Sequence, residues 1–284
     1  MPDAACKICG SESLQLIAHT AQCERCGVLL YYPYPGEERH PGEKESPEQS
    51  REKYRQWYLQ AARMNHLNFT NAIHFTVDGV WKGEKLTVLD YGGGGGQFAL
   101  VLRSHFYNAE VYMVDIDDHS LIDEWSCMNQ HVRYADFRSD PTQFDFIFLN
   151  DVFEHVADPV ATLRLLSGKL AEGGKIFIDT PRQFWLYPVL KWIARRSLYE
   201  TLLRGTVSTA HLQIWSQRAL ERAIRGAGLR SEKSVKISEF TMPPDFYLDQ
   251  TKISNPLLRT AGRVFYRLAR YIAKNKILCV LSRA

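Results

Sequence analysis

Between residues 86 and 179 short apolar runs alternate with stretches whose apolar positions recur every three or four residues. Leu86 to Tyr91, Glu110 to Val114, Phe144 to Asn150 and Lys175 to Asp179 read as strands. Phe144 to Asn150 is almost wholly apolar, as burial on both faces requires. Gln97 to Ser104 reads as a helix, His119 to Cys127 as a weaker one, and His131 to Ala135 as a further strand. Asp158-Pro159 places an N-cap before a proline at the first helical position, and Leu163, Leu166 and Leu170 then share a face up to Gly173-Gly174. Further on, Ser216 caps a helix to Gly226, Leu229 to Ile237 alternates as a strand, and Leu257 to Ala273 is an amphipathic helix. Ile277 to Leu281 makes a seventh strand. Strands alternating with helices in this way predict an α/β fold with a doubly wound, mostly parallel sheet.

The first 35 residues follow a different pattern. Cys6-x2-Cys9 and Cys23-x2-Cys26 stand 13 residues apart, and each pair is followed by glycine. Two such knuckles can point four thiolates at one ion, with Gly10 and Gly27 free to take a positive φ. The expectation is a small zinc ribbon over residues 1–35, with Cys6, Cys9, Cys23 and Cys26 as ligands. Four sulfur ligands leave no open position, so the zinc would be structural. Residues 36–80 are then a linker, broken by Pro41 and Pro47, followed by one or two amphipathic helices through Tyr54, Trp57, Tyr58 and Ala61. Residues 81–284 form the main domain.

Composition narrows the classes. The chain has 284 residues, 45% of them apolar, and a net charge of +3, which describes a globular protein without a polyanion-binding character. No run of about 18 apolar residues occurs, and the start lacks a basic-then-apolar leader, so the expected location is the cytoplasm. Charge is nonetheless uneven. Residues 182–230 hold nine Arg or Lys against Glu200 and Glu221, and residues 252–284 hold eight and no acid. With their apolar faces these segments could meet an anionic membrane at its inner face. Trp185, Trp192 and Tyr199 step by seven, which also suits a helical lid over about 182–212.

Gly92 to Gly96 follow the strand ending in Asp90-Tyr91 and open the helix at Gln97. A turn without Cβ atoms lets a ligand approach the backbone beside helix N-terminal amides. The spacing fits neither the dinucleotide pattern, whose third glycine place is Gln97, nor a P-loop, which would need Gly-Lys-Ser/Thr. Asp90-x-Gly92-x-Gly94-x-Gly96 resembles the first motif of class I S-adenosylmethionine-dependent methyltransferases. Asp115, 25 residues after Asp90, stands where that family places the acid that binds both ribose hydroxyls. Asn150-Asp151-Val152-Phe153-Glu154-His155-Val156 with Asp158-Pro159 is similar to its DVxEHVxDP segment, and His211 to Ser216 resembles its HxxxxS element. The cysteine pairs look like a branch that carries a zinc ribbon.

The resemblance implies a Rossmann-like sheet with an antiparallel last strand and S-adenosyl-L-methionine as cofactor. It assigns cofactor binding to Asp90, Gly92, Gly94, Gly96, Asp115, Ile116, Asp136, Phe137 and Asn150. Candidate bases are His155, His211, Asp151 and Glu154, with His155 preferred because it lies just past a strand's carboxyl end. The segment after Phe144 to Asn150 lacks the Pro-Pro-aromatic sequence that cradles a flipped base, and Pro243-Pro244 lies elsewhere. This argues against a nucleic-acid acceptor and for an oxygen or carbon of a small-molecule, sugar or lipid-linked glycan acceptor. The rival readings are a non-catalytic zinc-ribbon adaptor or cofactor sensor, and an RNA methyltransferase.

Overall fold

The structure is a computed structural model that describes residues 5–17, 20–32, 46–77, 85–117, 130–131, 134–183, 211–239, 243–250 and 255–284. The expected helix at 119–127 and nearly all of the expected lid at 182–212, with Trp185, Trp192 and Tyr199, lie outside these residues.

At the start, β1 (Leu14–Ile17), β2 (Thr20–Cys23) and β3 (Leu29–Tyr31) pair antiparallel. A 30-residue helix, α1 (Pro47–Thr76), follows. Its start shows why the prolines mislead: Pro47 sits in the first turn, where no hydrogen bond is needed from its nitrogen, so it opens the helix instead of extending the linker. Ser46 and Gln49 close a reciprocal capping box around it.

The main sheet then builds from β4 (Thr87–Tyr91), β5 (Glu110–Val114), β6 (Gln130–His131), β7 (Phe144–Asn150) and β8 (Leu170–Pro181). Interleaved are α2 (Gln97–His105), a single turn α3 (Tyr134–Phe137) and α4 (Pro159–Gly168). After the short β9 (Gln213–Ile214) come α5 (Gln217–Gly226), β10 (Leu229–Ile237), α6 (Pro244–Gln250), α7 (Pro256–Ile272) and β11 (Lys276–Arg283). The sheet order is β10-β11-β8-β7-β4-β5-β6. Only β11 runs against the rest, since it pairs antiparallel with both β10 and β8.

Two local expectations need correction. Of the strand expected at 131–135, His131 pairs in β6, residues 132–133 lie outside the described residues, and Tyr134 and Ala135 belong to the helical turn Tyr134–Phe137. Leu170 does not continue α4; it begins β8 and pairs with Phe144. The Gly173-Gly174 pair, read as a helix stop, instead sits inside β8 where the β7–β8 register shifts. Gly173 has φ +73°, and a Cβ on Gly174 would lie 2.7 Å from the Phe144 carbonyl oxygen, so the irregularity requires both glycines.

Strand alternation divides the core into two layers. Val88, Phe146, Phe148, Phe177, Leu278 and Val280 pack against α1 and α2 on one face. Leu89, Ile147, Leu149, Ile176, Ile178 and Cys279 pack against α4 and α5 on the other, and there they also meet the cysteine ribbon. The ribbon is not freestanding: β3 pairs with β9, the Ser216 hydroxyl donates to the Cys26 carbonyl at 2.7 Å, and Gln183 donates to the Gly27 carbonyl.

Helix α7 is tied to α6 rather than to the sheet's centre. Gly262 meets Leu248 so closely that a Cβ would lie 2.5 Å from Leu248 Cδ2. Arg259 pairs with Asp245 and Asp249, and Arg263 with Asp245. Leu257, Leu258, Val264, Phe265, Leu268 and Ile272 all remain half or more exposed.

Candidate active site

The glycine loop leaves the C-terminal end of β4 with three of its residues in the left-handed region: Gly92 at φ +78°, Gly94 at +53° and Gly96, the N-cap of α2, at +89°. Its neighbours also exclude side chains. A Cβ on Gly92 would fall 2.5 Å from Val152 Cγ2, on Gly93 2.3 Å from Met113 Cγ, and on Gly94 2.6 Å from Tyr54 Cε1. The close neighbours thus come from β5, from the segment after β7, and from α1.

Asp115, just past β5, holds this loop. Its Oδ2 accepts the Gly94 amide at 2.9 Å and its Oδ1 the Asp117 amide at 2.9 Å. A carboxylate can accept about four hydrogen bonds through its two oxygens, which suits it to the vicinal diol expected of the cofactor's ribose. The next residue, Ile116, is 49% exposed and presents an apolar surface beside it. Ser50 donates to Asp117, and Gln97 donates to the Tyr54 carbonyl, so the first turns of α1 cover the loop. Of the Asp136–Phe137 pair, Asp136 is exposed, whereas the Phe137 ring is buried against Tyr91 and beneath the Lys169 ammonium.

Asp90 is 2% exposed, and burial, aided by the like charge of Asp115, pushes its carboxyl up to about 8. Its Oδ2 and the Asn150 Nδ2 are buried with no hydrogen-bond partner among the described residues. Such orphaned atoms are costly unless a ligand meets them. The parity that sends Val88, Phe146 and Phe148 to the α1 face carries Asp90 and Asn150 there too, at the edge where the parallel strands end.

On the opposite face three candidate proton-handling groups meet. The His155 and His211 rings lie 5.0 Å apart, and His155 Nε2 is 3.8 Å from Glu154 Oε1. Glu154 is 1% exposed; its other oxygen accepts the Thr180 hydroxyl at 3.0 Å. Burial pushes its carboxyl up to about 7, against the opposing pull of His155. His211 is brought in because the Leu212 amide donates to the Glu154 carbonyl at 2.9 Å. Asp151 stands apart, at φ +54°, with both carboxylate oxygens on Lys276. Thr180, Tyr54, Ser50 and Lys276 carry no local motif; only the sheet and α1 bring them to the site.

The four ribbon cysteines converge. Cys6 and Cys26 sulfurs are 3.6 Å apart, as are those of Cys9 and Cys23, and all four lie within 4.8 Å of one another. A disulfide would need about 2.05 Å, whereas thiolates at about 2.3 Å from one tetrahedral zinc stand about 3.8 Å apart. Gly10 and Gly27 take φ +67° and +78° at the two knuckles.

Comparison with known proteins gives the site its context. The methyltransferase domain family matches residues 79–234. The ubiquinone biosynthesis O-methyltransferase of Coxiella burnetii is 29% identical over 165 residues, covering 53% of this chain and 67% of its own. Among solved structures, a chain of the Haloferax volcanii complex between the Trm112 methyltransferase activator and a methyltransferase superposes with a TM-score of 0.58 at 16% identity. That match covers 85% of this chain and 99% of the other. The geranyl diphosphate C-methyltransferase of Streptomyces coelicolor gives 0.50 at 16% identity, covering 86% and 87%. At these identities the structural likenesses speak for the fold. With the glycine loop, Asp115 and the seven-stranded order in place, the chain belongs to the methyltransferase domain family and is an S-adenosylmethionine-dependent methyltransferase.

Proposed function

We propose that the protein methylates an oxygen or carbon atom of a small-molecule, sugar or lipid-linked glycan acceptor, with the ribbon held by a structural zinc. The observation that carries this reading is the His155–His211 pair backed by buried Glu154. A hydroxyl or activated carbon must lose a proton as it is methylated, and an imidazole near neutral pH is suited to take it. The C. burnetii relative, by its name an O-methyltransferase, supports the oxygen alternative.

When bound, S-adenosylmethionine supplies an electrophilic methyl group. Asp115, the glycine loop, Ile116 and Asp136 would hold it, while Asp90 and Asn150 offer the buried polar atoms. His155 takes the acceptor's proton, and the neighbouring Glu154 carboxylate stabilises the imidazolium. Because burial holds Glu154 up to about 7, that support is full only above neutral pH and fades as pH falls through 7. His155→Ala is expected to lower kcat by about 10²- to 10⁴-fold with cofactor affinity unchanged. The acceptor class is tested by incubating the protein with radiolabelled methyl donor and fractionated cell extract. Label is expected in small-molecule, polysaccharide or lipid fractions; label confined to RNA overturns the reading.

The exposed apolar face of α7 supports peripheral contact with an anionic bilayer, as a lipid-linked acceptor would suit. The electrostatic part is smaller than the charge count of residues 252–284 implies, since Asp245 and Asp249 neutralise Arg259 and Arg263 and leave Arg267 exposed. Among the described residues no helix is long and apolar enough to cross a membrane. Cosedimentation with phosphatidylserine vesicles is expected and should vanish in Phe265→Asp/Leu268→Asp. Equal sedimentation of wild type and variant would exclude α7 as the contact.

A further inference from the structure

A second polar concentration lies farther along the α1 face. Lys276, the first residue of β11, is buried, and its ammonium is 2.7 Å from Asp151 Oδ1, 3.0 Å from Asp179 Oδ2 and 3.0 Å from Glu239 Oε1. Three carboxylates therefore surround one cation, and full ionisation would leave a surplus of negative charge in a buried place, which is costly. Burial, with like charges adding and Lys276 opposing, pushes Asp179 well above the usual carboxylate range, and Glu239 upward too. Lys276 itself is held charged: burial works against it, but the three carboxylates outweigh burial. Its ammonium fills the place among the three acids where a metal ion would sit.

Against this cluster lies a cavity of about 240 Å³, between α1 and the ends of β8, β10 and β11, lined by Asn68, Asn71, Asp179, Ser238 and Glu239 over an apolar floor that includes Phe177. Asp179 is only 6% exposed; Lys276 occupies its Oδ2, while its Oδ1 is buried with no partner among the described residues. Asn68 gives its amide nitrogen to Glu239 at 2.7 Å. Besides the neutral side chains of Asn71 and Ser238, what the cavity offers is carboxylate oxygen, the unpartnered Asp179 Oδ1 above all. The register also links it to the glycine loop: Asp90 stands opposite Phe148 across β4–β7, and Asn150 opposite Asp179 across β7–β8. The orphaned polar atoms of Asn150 and Asp179 are thus side by side on the α1 face, one alternation beyond the row of Asp90 and Phe148.

We infer that this cavity is a cation subsite that receives a protonated amine of the methyl acceptor, as an anchor and not as the methylated atom. An ammonium brings three donors and no acceptor, which suits the carboxylate oxygens gathered there, the unpartnered Asp179 Oδ1 among them. It also offsets the surplus charge, where a phosphate or carboxylate would add to it and a neutral polyol would leave it in place. The subsite's role toward an acceptor rests on the proposed methyl transfer; its affinity for an ammonium group does not.

Glucosamine, glucose and glucose 6-phosphate are suitable probes, titrated at slightly acidic pH into the whole chain with S-adenosylhomocysteine present. Glucosamine is expected to bind at least about tenfold more tightly than glucose, and glucose 6-phosphate more weakly than either. Calorimetry in buffers of different ionisation enthalpy should show proton release, as the incoming cation ionises Asp179 and Glu239 beside Asp151 and Lys276. Glu239→Gln removes a charge, and Asn71→Leu fills the cavity from α1 without touching the ionic cluster. Both should weaken glucosamine at least about tenfold while S-adenosylhomocysteine affinity in the same samples is unchanged. Equal affinities for glucose and glucosamine, preference for the phosphate, or undiminished binding in Asn71→Leu would each overturn the subsite. Failure of the proposed methyl transfer would look different: no label passed from the methyl donor to small-molecule, polysaccharide or lipid fractions, with glucosamine binding intact.

Discussion

Asp115→Ala is expected to raise the Kd for S-adenosylmethionine at least about 100-fold, measured by calorimetry. Two hydrogen bonds to an ionised group, each worth about 1.5–3 kcal/mol, would be lost to the ribose. The same carboxylate also fixes Gly94 and Asp117, so the empty loop loses its tether and must be ordered by the ligand at further entropic cost. The variant has a second signature. Asp90 binds more protons folded than unfolded, because its carboxyl rises from the ordinary 3.8 to about 8. Its contribution to stability is therefore full at low pH and is lost as pH climbs from about 4 to 8. Burial is the larger cause of that rise and Asp115 the smaller, so Asp115→Ala should shallow this decline without abolishing it. Wild-type cofactor affinity in the variant would remove Asp115 from the site.

Cys26→Ser is expected to empty the ribbon and loosen the catalytic domain with it. The purified protein should carry about one zinc per chain, measured by plasma mass spectrometry, and the variant almost none. Structural zinc sites in small domains contribute about 10 kcal/mol or more to folding. Even a loss of about 4 kcal/mol would lower Tm by roughly 10 °C in a domain of this size. Coupling arises because Cys6, Cys23 and Cys26 share one apolar core with Trp215, Leu220 and Ile178. Trp215 itself stacks on Phe153, one residue before Glu154, with ring centroids 4.7 Å apart. Loss of the ribbon should therefore reduce kcat as well as stability. A metal-free protein with unchanged Tm would refute the zinc assignment.

What could be read from the chain follows from the range of the forces involved. The strands Glu110–Val114, Phe144–Asn150 and Leu229–Ile237 were legible to the residue, because apolar content and bounding turns are local. So were the Asp158 and Ser216 caps, whose side chains accept amides three residues on. Leu170 misled because it keeps a helical spacing from Leu163 and Leu166, while its partner, Phe144, lies far back in the sequence. At the site, the glycine loop and Asp115 announce themselves through a strand-to-helix turn and a strand end. Lys276 does not: it looks like one more basic residue of the last segment until β11 inserts between β8 and β10 and sets it among Asp151, Asp179 and Glu239. Tyr54 likewise reads as one more apolar position of a helix, and only the path of α1 over Gly94 gives it a role.

The pairing of β3 with β9 has a consequence for biosynthesis. Cys26 and Ser216 are 190 positions apart, yet one caps the other's turn. On the ribosome the ribbon emerges first, and its outer strand waits with an open edge until the segment around Ile214 has been made. Closing so long a loop is slow, and an exposed strand edge is prone to pair with the wrong partner in the interval. Early metal capture by the four thiolates would shield the nascent segment through that delay.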